Sequence, residues 1–307
     1  MKNTRFLIID GNSIAFRAAT AKPVFQEELV NSKGVVTGTT YRFINILNKT
    51  LSMVKPTHVV IGFDTGGYTF RNNIDREYKA NRSHGAEKEA IYNQFTDIKR
   101  ILEAIGIKHD NILSYEGDDI VGTYAKLSNA EKTFILSGDK DIFQLINDTT
   151  SVIFPIKGVS EVAVYDKQMF KDRFNIDVEQ YTDYKCLLGD AGDNIKGLDG
   201  CGEKTAVKLL TKFGNIPSIY NNLDIPQPDI RGWKKLSEKF ASWEYDKTKE
   251  LVTICQTAPV KYNFEDCEIH LKWDNAIPVF EDLEFDSFIK KVRDGKFYNA
   301  LQWNWWI

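Results

Sequence analysis

The sequence predicts an α/β fold, a parallel-type central sheet followed by a small helical module, and three observations carry the prediction. Short apolar runs recur through the first half: "RFLIID" (5–10), "THVVIGFD" (57–64) and "KTFILSGD" (132–139). Helical periodicity separates them. In "IYNQFTDIKRILEAIGI", Ile91, Phe95, Ile98, Leu102 and Ile105 recur at three- and four-residue steps, which predicts one amphipathic helix. Past residue 180 the pattern changes. "YTDYKCLLGDAGDNIKGLDGCGEKTAVKLLTKFG" has glycine-marked turns between short helical stretches and no good strand. Further on, "KTKELVTICQ" and "FDSFIKKVRD" read as helical, and "KYNFEDCEIHLKW" as partly strand.

The 307 residues, 42% of them hydrophobic, suffice for one large domain or two modest ones. Asp10 stops the first apolar run before it reaches the length of a signal peptide core, and no run approaches the ~20 residues of a membrane span. A soluble, cytoplasmic protein is expected, in a bacterial cell or a phage-infected host. Four scattered cysteines without a C-x-x-C pair support neither a zinc ribbon nor a disulfide framework. The net charge of −3 argues at first against nucleic acid. Nine carboxylates fall into clusters, however, and without them the chain is net positive, so local charge must decide.

Each apolar run ends on an aspartate: Asp10, Asp64 and Asp139. C-termini of parallel strands share one sheet edge, where open α/β folds bind ligands. "EGDDIVG" adds Glu116, Asp118 and Asp119 at a helix start, where the helix dipole favours each anion by only about 0.3–1 kcal/mol. That is too little to explain three clustered acids. "SGDKD" adds Asp141, and "LLGDAGDN" adds Asp190 and Asp193. With no His or Cys among them, zinc is disfavoured, and all-oxygen ligands point to Mg²⁺, Mn²⁺ or Ca²⁺. The acids outnumber the needs of one ion. Two ions about 4 Å apart would support in-line attack on a phosphodiester.

Candidate phosphate contacts lie elsewhere. "FRNNIDREYKANR" (70–82) offers Arg71, Arg76, Lys79 and Arg82 beside Tyr78, a residue able to stack on an unpaired base. Arg17 is a further candidate. "GLDGCGEKTAVKLL" nearly matches a P-loop, but Glu203 intrudes before Lys204 and no strand precedes it. A helix–hairpin–helix fits better. Gly200 and Gly202 permit a tight turn whose amides face a phosphate, with Lys204 and Lys208 nearby.

Together "LIIDGNSIAFRA", "GVVTGTTYRFINIL", "KPTHVVIGFDTGGYTFRNN", "EYKANR", "EGDDIVGT", "ILSGDKDIFQL" and "LLGDAGDNIKGLDGCGEKTAVKLL" resemble, in order, the 5′-nuclease domain of bacterial DNA polymerase I and the stand-alone phage and bacterial flap endonucleases. The resemblance covers most of residues 5–210. It implies a PIN-like nuclease domain over 1–180 with a helical arch at about 70–92, a helix–three-turn–helix DNA-binding module over 181–265, and a 266–307 segment packing back on the core. It also implies Asp10, Asp64, Glu116 and Asp118 as ligands of a first Mg²⁺. Asp118, Asp139, Asp141 and Asp193 would hold a second, with Asp119 and Asp190 outside them or bound through water. Mn²⁺ is the expected substitute, and K⁺ the expected ion at the hairpin. Lys79 and Arg82 resemble the basic pair near the scissile phosphate, and Tyr78 its stacking partner. Cys201 stands where the family usually has Ile or Val. "FYNALQWNWWI" has no counterpart and reads as core packing or a partner-binding tail.

The expected activity is structure-specific 5′-3′ exonuclease and flap endonuclease cleavage of DNA in primer or flap removal, with Asp118, Asp139 and Asp141 essential. Substrates would be DNA with 5′ flaps, nicks or free 5′ ends, and RNA-primed DNA. The protein would be a monomer acting alone or with a polymerase recruited in trans. Two alternatives stay open: a non-catalytic branched-DNA-binding protein with a structural ion, and a PIN-type ribonuclease.

Overall fold

Six strands form one sheet in the computed structural model, which describes residues 4–21, 28–82, 85–157 and 161–299. They are β1 (Arg5–Asp10), β2 (His58–Gly62), β3 (Lys108–Asp110), β4 (Lys132–Leu136), β5 (Thr150–Lys157) and β6 (Glu161–Tyr165), in the spatial order β3-β2-β1-β4-β5-β6. The first five run parallel and β6 returns antiparallel on β5. The α/β prediction holds, although the sequence reading names only β1, β2 and β4. β3 is three residues long with a charged, exposed start, too short to carry a pattern.

The run "FLII" serves two cores at once. Phe6 and Ile8 face one side of the sheet with Val60, Ile135 and Val152. Leu7 and Ile9 face the other with Val59, Ile61, Leu136 and Ile153. A strand buried on both faces has no polar alternation, which explains the continuous apolar run. Each of these side chains is 0–1% exposed, and burial of each contributes roughly 1.5–3 kcal/mol relative to exposure.

The helices of the sheet half are α1 (Gly11–Thr20), α2 (Gly38–Val54), α3 (Arg71–Ile74), α4 (Ala86–Asn93), α5 (Phe95–Ile105), α6 (Gly117–Lys126) and α7 (Lys167–Phe174). The single helix predicted around Ile91–Ile105 is in fact two. The buried Gln94 separates α4 from α5, its Oε1 accepting from Thr40 N at 3.1 Å. α5 stops at Gly106, whose φ of +84° only glycine adopts without strain. The predicted arch at 70–92 is not one helix either. It consists of the four-residue α3, turns through 75–81, and α4, with Ser83 and His84 outside the described residues.

The helical half comprises α8 (Tyr181–Leu188), a ribbon of β7 (Gly189–Asp190) and β8 (Ile195–Lys196), then α9 (Glu203–Phe213), α10 (Ile216–Tyr220), α11 (Trp233–Ala241) and α12 (Tyr245–Val252). Its apolar residues Leu209, Leu210, Ile219 and Phe240 join the same core as Phe6 and Ile8, so the module is fused to the sheet. α13 (Ile277–Asp282) and α14 (Asp286–Arg293) return to the opposite face through Phe280 and Phe288. The strand expected in "KYNFEDCEIHLKW" is absent: one bridge, His58 to Glu268, stands in its place. The tail beyond Asn299 lies outside the described residues.

Candidate active site

The strand order reverses at β1, so the crevice beyond the C-terminal ends of β1 and β4 is the switch point of this sheet. Asp10 closes β1 and caps α1, accepting from Ser13 N at 3.0 Å and from Ser137 Oγ at 2.7 Å. Ser137 Oγ also accepts from Asp139 N at 2.9 Å, and Gly138 N donates to Ser13 Oγ at 2.9 Å. Beyond β2, Asp64 has its amide held by Asn12 Oδ1 at 3.0 Å, while its carboxylate accepts from Gly117 N. Asn12, Ser13 and Ser137 thus lace three strand ends together. The sequence reading overlooks them. The signal available was a polar residue placed where each apolar run stops.

Burial raises the proton affinity of these acids. Asp10 is pushed up to about 7 by burial, with Asp64 and Asp139 adding repulsion against the bonds from Ser13 and Ser137. Asp64 is raised by burial and by Glu116. Asp118 is raised well above the carboxylate range by burial and by Asp119. Asp141 is pushed up to about 6 by burial, with Lys185 working the other way.

Three cations answer part of this charge. Lys79 Nζ lies 2.7 Å from Glu116 and 3.7 Å from Asp193, and Arg82 pairs with Asp193. The Lys79 backbone holds φ +57° and its amide donates to Asp193 O at 2.9 Å, folding this segment over the Asp190–Asp193 turn. Lys185 bridges Asp141 and Asp190, 2.7 Å from each. Lys185 is the functional candidate that sequence reasoning missed, since a single Lys within "YKCLL" gives no pattern. Among the described residues, no three acids converge closely enough to hold an ion as they stand. The donor set nonetheless fits a hard divalent cation. It is all oxygen, Asp10 and Glu116 are buried, and the buried Asp118 Oδ1 has no hydrogen-bond partner among the described residues.

Two predicted roles do not match the geometry. Asp119, expected outside the ligands or bound through water, is fully buried, paired at 2.8 Å through both oxygens with Arg71, and accepts from Cys255 N and Glu116 N. Arg71, 2% exposed, also donates to Leu251 O and Thr253 O, so it ties α3 and α6 to the end of α12 and cannot reach DNA. Tyr78 is 5% exposed, and its hydroxyl donates to Glu116 at 3.0 Å and Asp193 at 3.3 Å, so its ring presents no face for a base.

The other predicted DNA contacts fall on two surfaces. Arg82 is exposed beside Asp193, Arg76 is exposed on the preceding turn, and Arg17 lies against Gly138. In the helical half, Gly197 and Gly189 meet backbone to backbone: a Cβ on Gly197 would stand 2.3 Å from Leu188 C. Gly200 turns the chain at φ +81°, and Gly202 starts α9 with no side-chain cap. Lys204 and Lys208 are exposed on α9, with Lys208 bonded to Asp229 O.

The family description "5′-3′ exonuclease, N-terminal resolvase-like domain" matches residues 5–175, and "5′-3′ exonuclease, C-terminal SAM fold" matches residues 176–275. The chain belongs to the 5′-3′ exonuclease family. The family boundary at 175/176 falls just before α8, where the sheet half gives way to the helical half. A 5′-3′ exonuclease of Bacillus subtilis is 32% identical over 277 residues, 90% of this chain and 92% of its own length. DNA polymerase I of Bacillus subtilis is 36% identical over 293 residues, 94% of this chain. The chain spans about a third of that polymerase's length, 32%. Among solved structures, the T5 D15 flap endonuclease in a complex with DNA and metal ions superposes with a TM-score of 0.65 at 20% identity, covering 94% of this chain and 98% of its own. The catalytic core of Rad2 with DNA gives 0.54 at 16%, covering 92% of each chain. These likenesses bear out the fold.

Proposed function

We propose that the chain is a metal-dependent, structure-specific 5′-nuclease that hydrolyses DNA phosphodiesters at or near single-strand/duplex junctions and trims free 5′ ends. One observation carries the reading: carboxylates from the ends of β1, β2 and β4 and from the start of α6 gather at one sheet edge, where the buried Asp118 Oδ1 lacks a protein partner. Asp10, Asp64, Glu116 and Asp118 would hold one divalent ion, and Asp118, Asp139, Asp141 and Asp193 a second, with Mg²⁺ as the ion and Mn²⁺ as its substitute. When bound, such ions lower the pKa of water and neutralise charge building on the phosphate.

The chain's own residues orient the substrate. Lys79 and Arg82 lie beside Glu116 and Asp193, so a phosphate arriving there meets two cations already positioned. Lys185 holds Asp141 and Asp190 in register. The uncapped first turn of α9, with Lys204 and Lys208 following, suits a duplex phosphate. K⁺ at that hairpin and RNA-primed DNA as a substrate rest on the sequence resemblance. A polymerase partner draws support from relatives in which the matching segment is part of a DNA polymerase I.

The test is cleavage of a 5′-labelled DNA flap with Mg²⁺ and with EDTA, beside Asp139→Ala. A flap-length product that needs both the ion and Asp139 is expected. An intact flap that stays bound would overturn the enzyme reading.

A further inference from the structure

Tyr92 is unlike the tyrosine that the sequence singles out. It lies in the last turn of α4 and is 42% exposed. Its ring meets Phe16 of α1 edge to face, with centroids 5.5 Å apart and planes at 83°. It also meets Phe95 at 5.2 Å, and Phe95 in turn meets Phe63 at 5.5 Å. This row of rings has fixed ends. Phe16 stands on the helix that Asp10 caps, and Phe63 immediately precedes Asp64. Tyr92 therefore packs between α1 and the start of α5, in a row of rings that ends beside Asp64. Burial raises its hydroxyl's proton affinity, and the charge of Asp64 adds to this while Arg82 and Lys79 oppose it.

We propose that Tyr92, braced by Phe16, is the stacking platform for the base of a nucleotide flanking the scissile phosphate, and so a positioning and specificity-determining residue for cleavage. Three features favour this over simple packing. An aromatic ring fully engaged in a core is not left 42% exposed. An edge-to-face neighbour at 5.5 Å holds the ring in one orientation. A base has a π-face whatever its identity, so the site would be sequence-tolerant, as a structure-specific enzyme requires. Tyr78 cannot do this work, being buried with its hydroxyl bonded to Glu116 and Asp193.

The inference rests on the nuclease reading, and the experiment separates the two. Single-turnover cleavage with Mg²⁺ is measured for wild type, Tyr92→Ala, Tyr92→Phe and Tyr92→Leu. The substrates are a DNA flap and the same flap with an abasic site at either nucleotide flanking the scissile phosphate. Tyr92→Ala should lose about ten- to a hundredfold on the intact flap and far less on one of the abasic flaps, where wild type has already lost the stack. Tyr92→Phe should retain the wild-type rate and Tyr92→Leu should not. 2-Aminopurine at the same nucleotide should be quenched by wild type and not by Tyr92→Ala. An equal loss on intact and both abasic flaps, or full rescue by Leu, would make Tyr92 a packing residue and overturn the inference. Failure of wild type to cut the intact flap would instead overturn the nuclease reading.

Discussion

Buried carboxylates fall into two groups in this molecule, and they differ in what answers their charge. Asp119 and Asp183 are satisfied by permanent protein donors. Asp119 takes both arms of Arg71, and Asp183 takes Ile216 N at 2.9 Å and Tyr245 OH at 3.0 Å. Each joins segments far apart in sequence. Asp10, Asp64, Asp118 and Asp141 at the sheet edge are different. Burial raises all four, and Asp118 keeps an oxygen with no partner among the described residues. A fold retains carboxylates raised in this way where a ligand completes the site. The same residue type thus builds structure in one place and a reaction centre in the other.

The largest effect should separate the groups through activity. Asp118→Asn and Asp141→Asn should each lose about 10³-fold or more in flap cleavage, removing several kcal/mol of charge stabilisation, while DNA binding in EDTA persists. Single-turnover rates and gel-shift affinities check this. Near-normal cleavage by either variant would break the comparison. Next comes Asp119→Ala, which leaves the Arg71 guanidinium buried and unpaired and should destabilise the fold by about 3–5 kcal/mol, read as a lower midpoint in urea denaturation. Losing activity without losing stability would move Asp119 into the reactive group.

A smaller effect follows from ion binding. Saturating Mg²⁺ at about a hundred times its Kd should stabilise the wild type by about 2.7 kcal/mol over the EDTA form, and EDTA should reverse the gain. Smaller still is the pH effect of Asp10. Its folded value of about 7 stands above its ordinary 3.8. The stability associated with its protonated form is therefore fully present below pH 3.8 and lost as pH rises through about 7. In EDTA, Asp10→Asn should match wild type in Tm near pH 4 and exceed it by pH 8. A pH-independent difference would show that the carboxyl is not raised.

Legibility in the sequence follows the same division. The reactive acids announce themselves because each stops an apolar run or crowds another acid within a few positions, as in "EGDD" and "GDAGD". The structural group is silent: nothing in "DDIVG" tells Asp118 from Asp119, because the difference lies in Arg71, 48 residues away, and in the backbone of Cys255, 136 residues away. The burial of Tyr78 was hidden for the same reason, its hydroxyl partner Asp193 lying 115 residues on. The break at Gln94 escaped periodicity because Ile91, Phe95 and Ile98 keep helical spacing across it. β5 was more accessible: "TSVIFPIK" carries enough β-branched and aromatic residues to be read as a strand.

The most direct test of the central claim, that the unanswered charge at the sheet edge awaits an ion, is thermal melting of wild type and Asp118→Asn across a Mg²⁺ titration from EDTA upward. Asp118→Asn should melt above wild type in EDTA, because it removes a buried repelling charge, and should gain little from Mg²⁺ while wild type climbs with its concentration. If Asp118→Asn melts below wild type in EDTA and both respond equally to Mg²⁺, Asp118 belongs with the structural carboxylates and the claim is wrong.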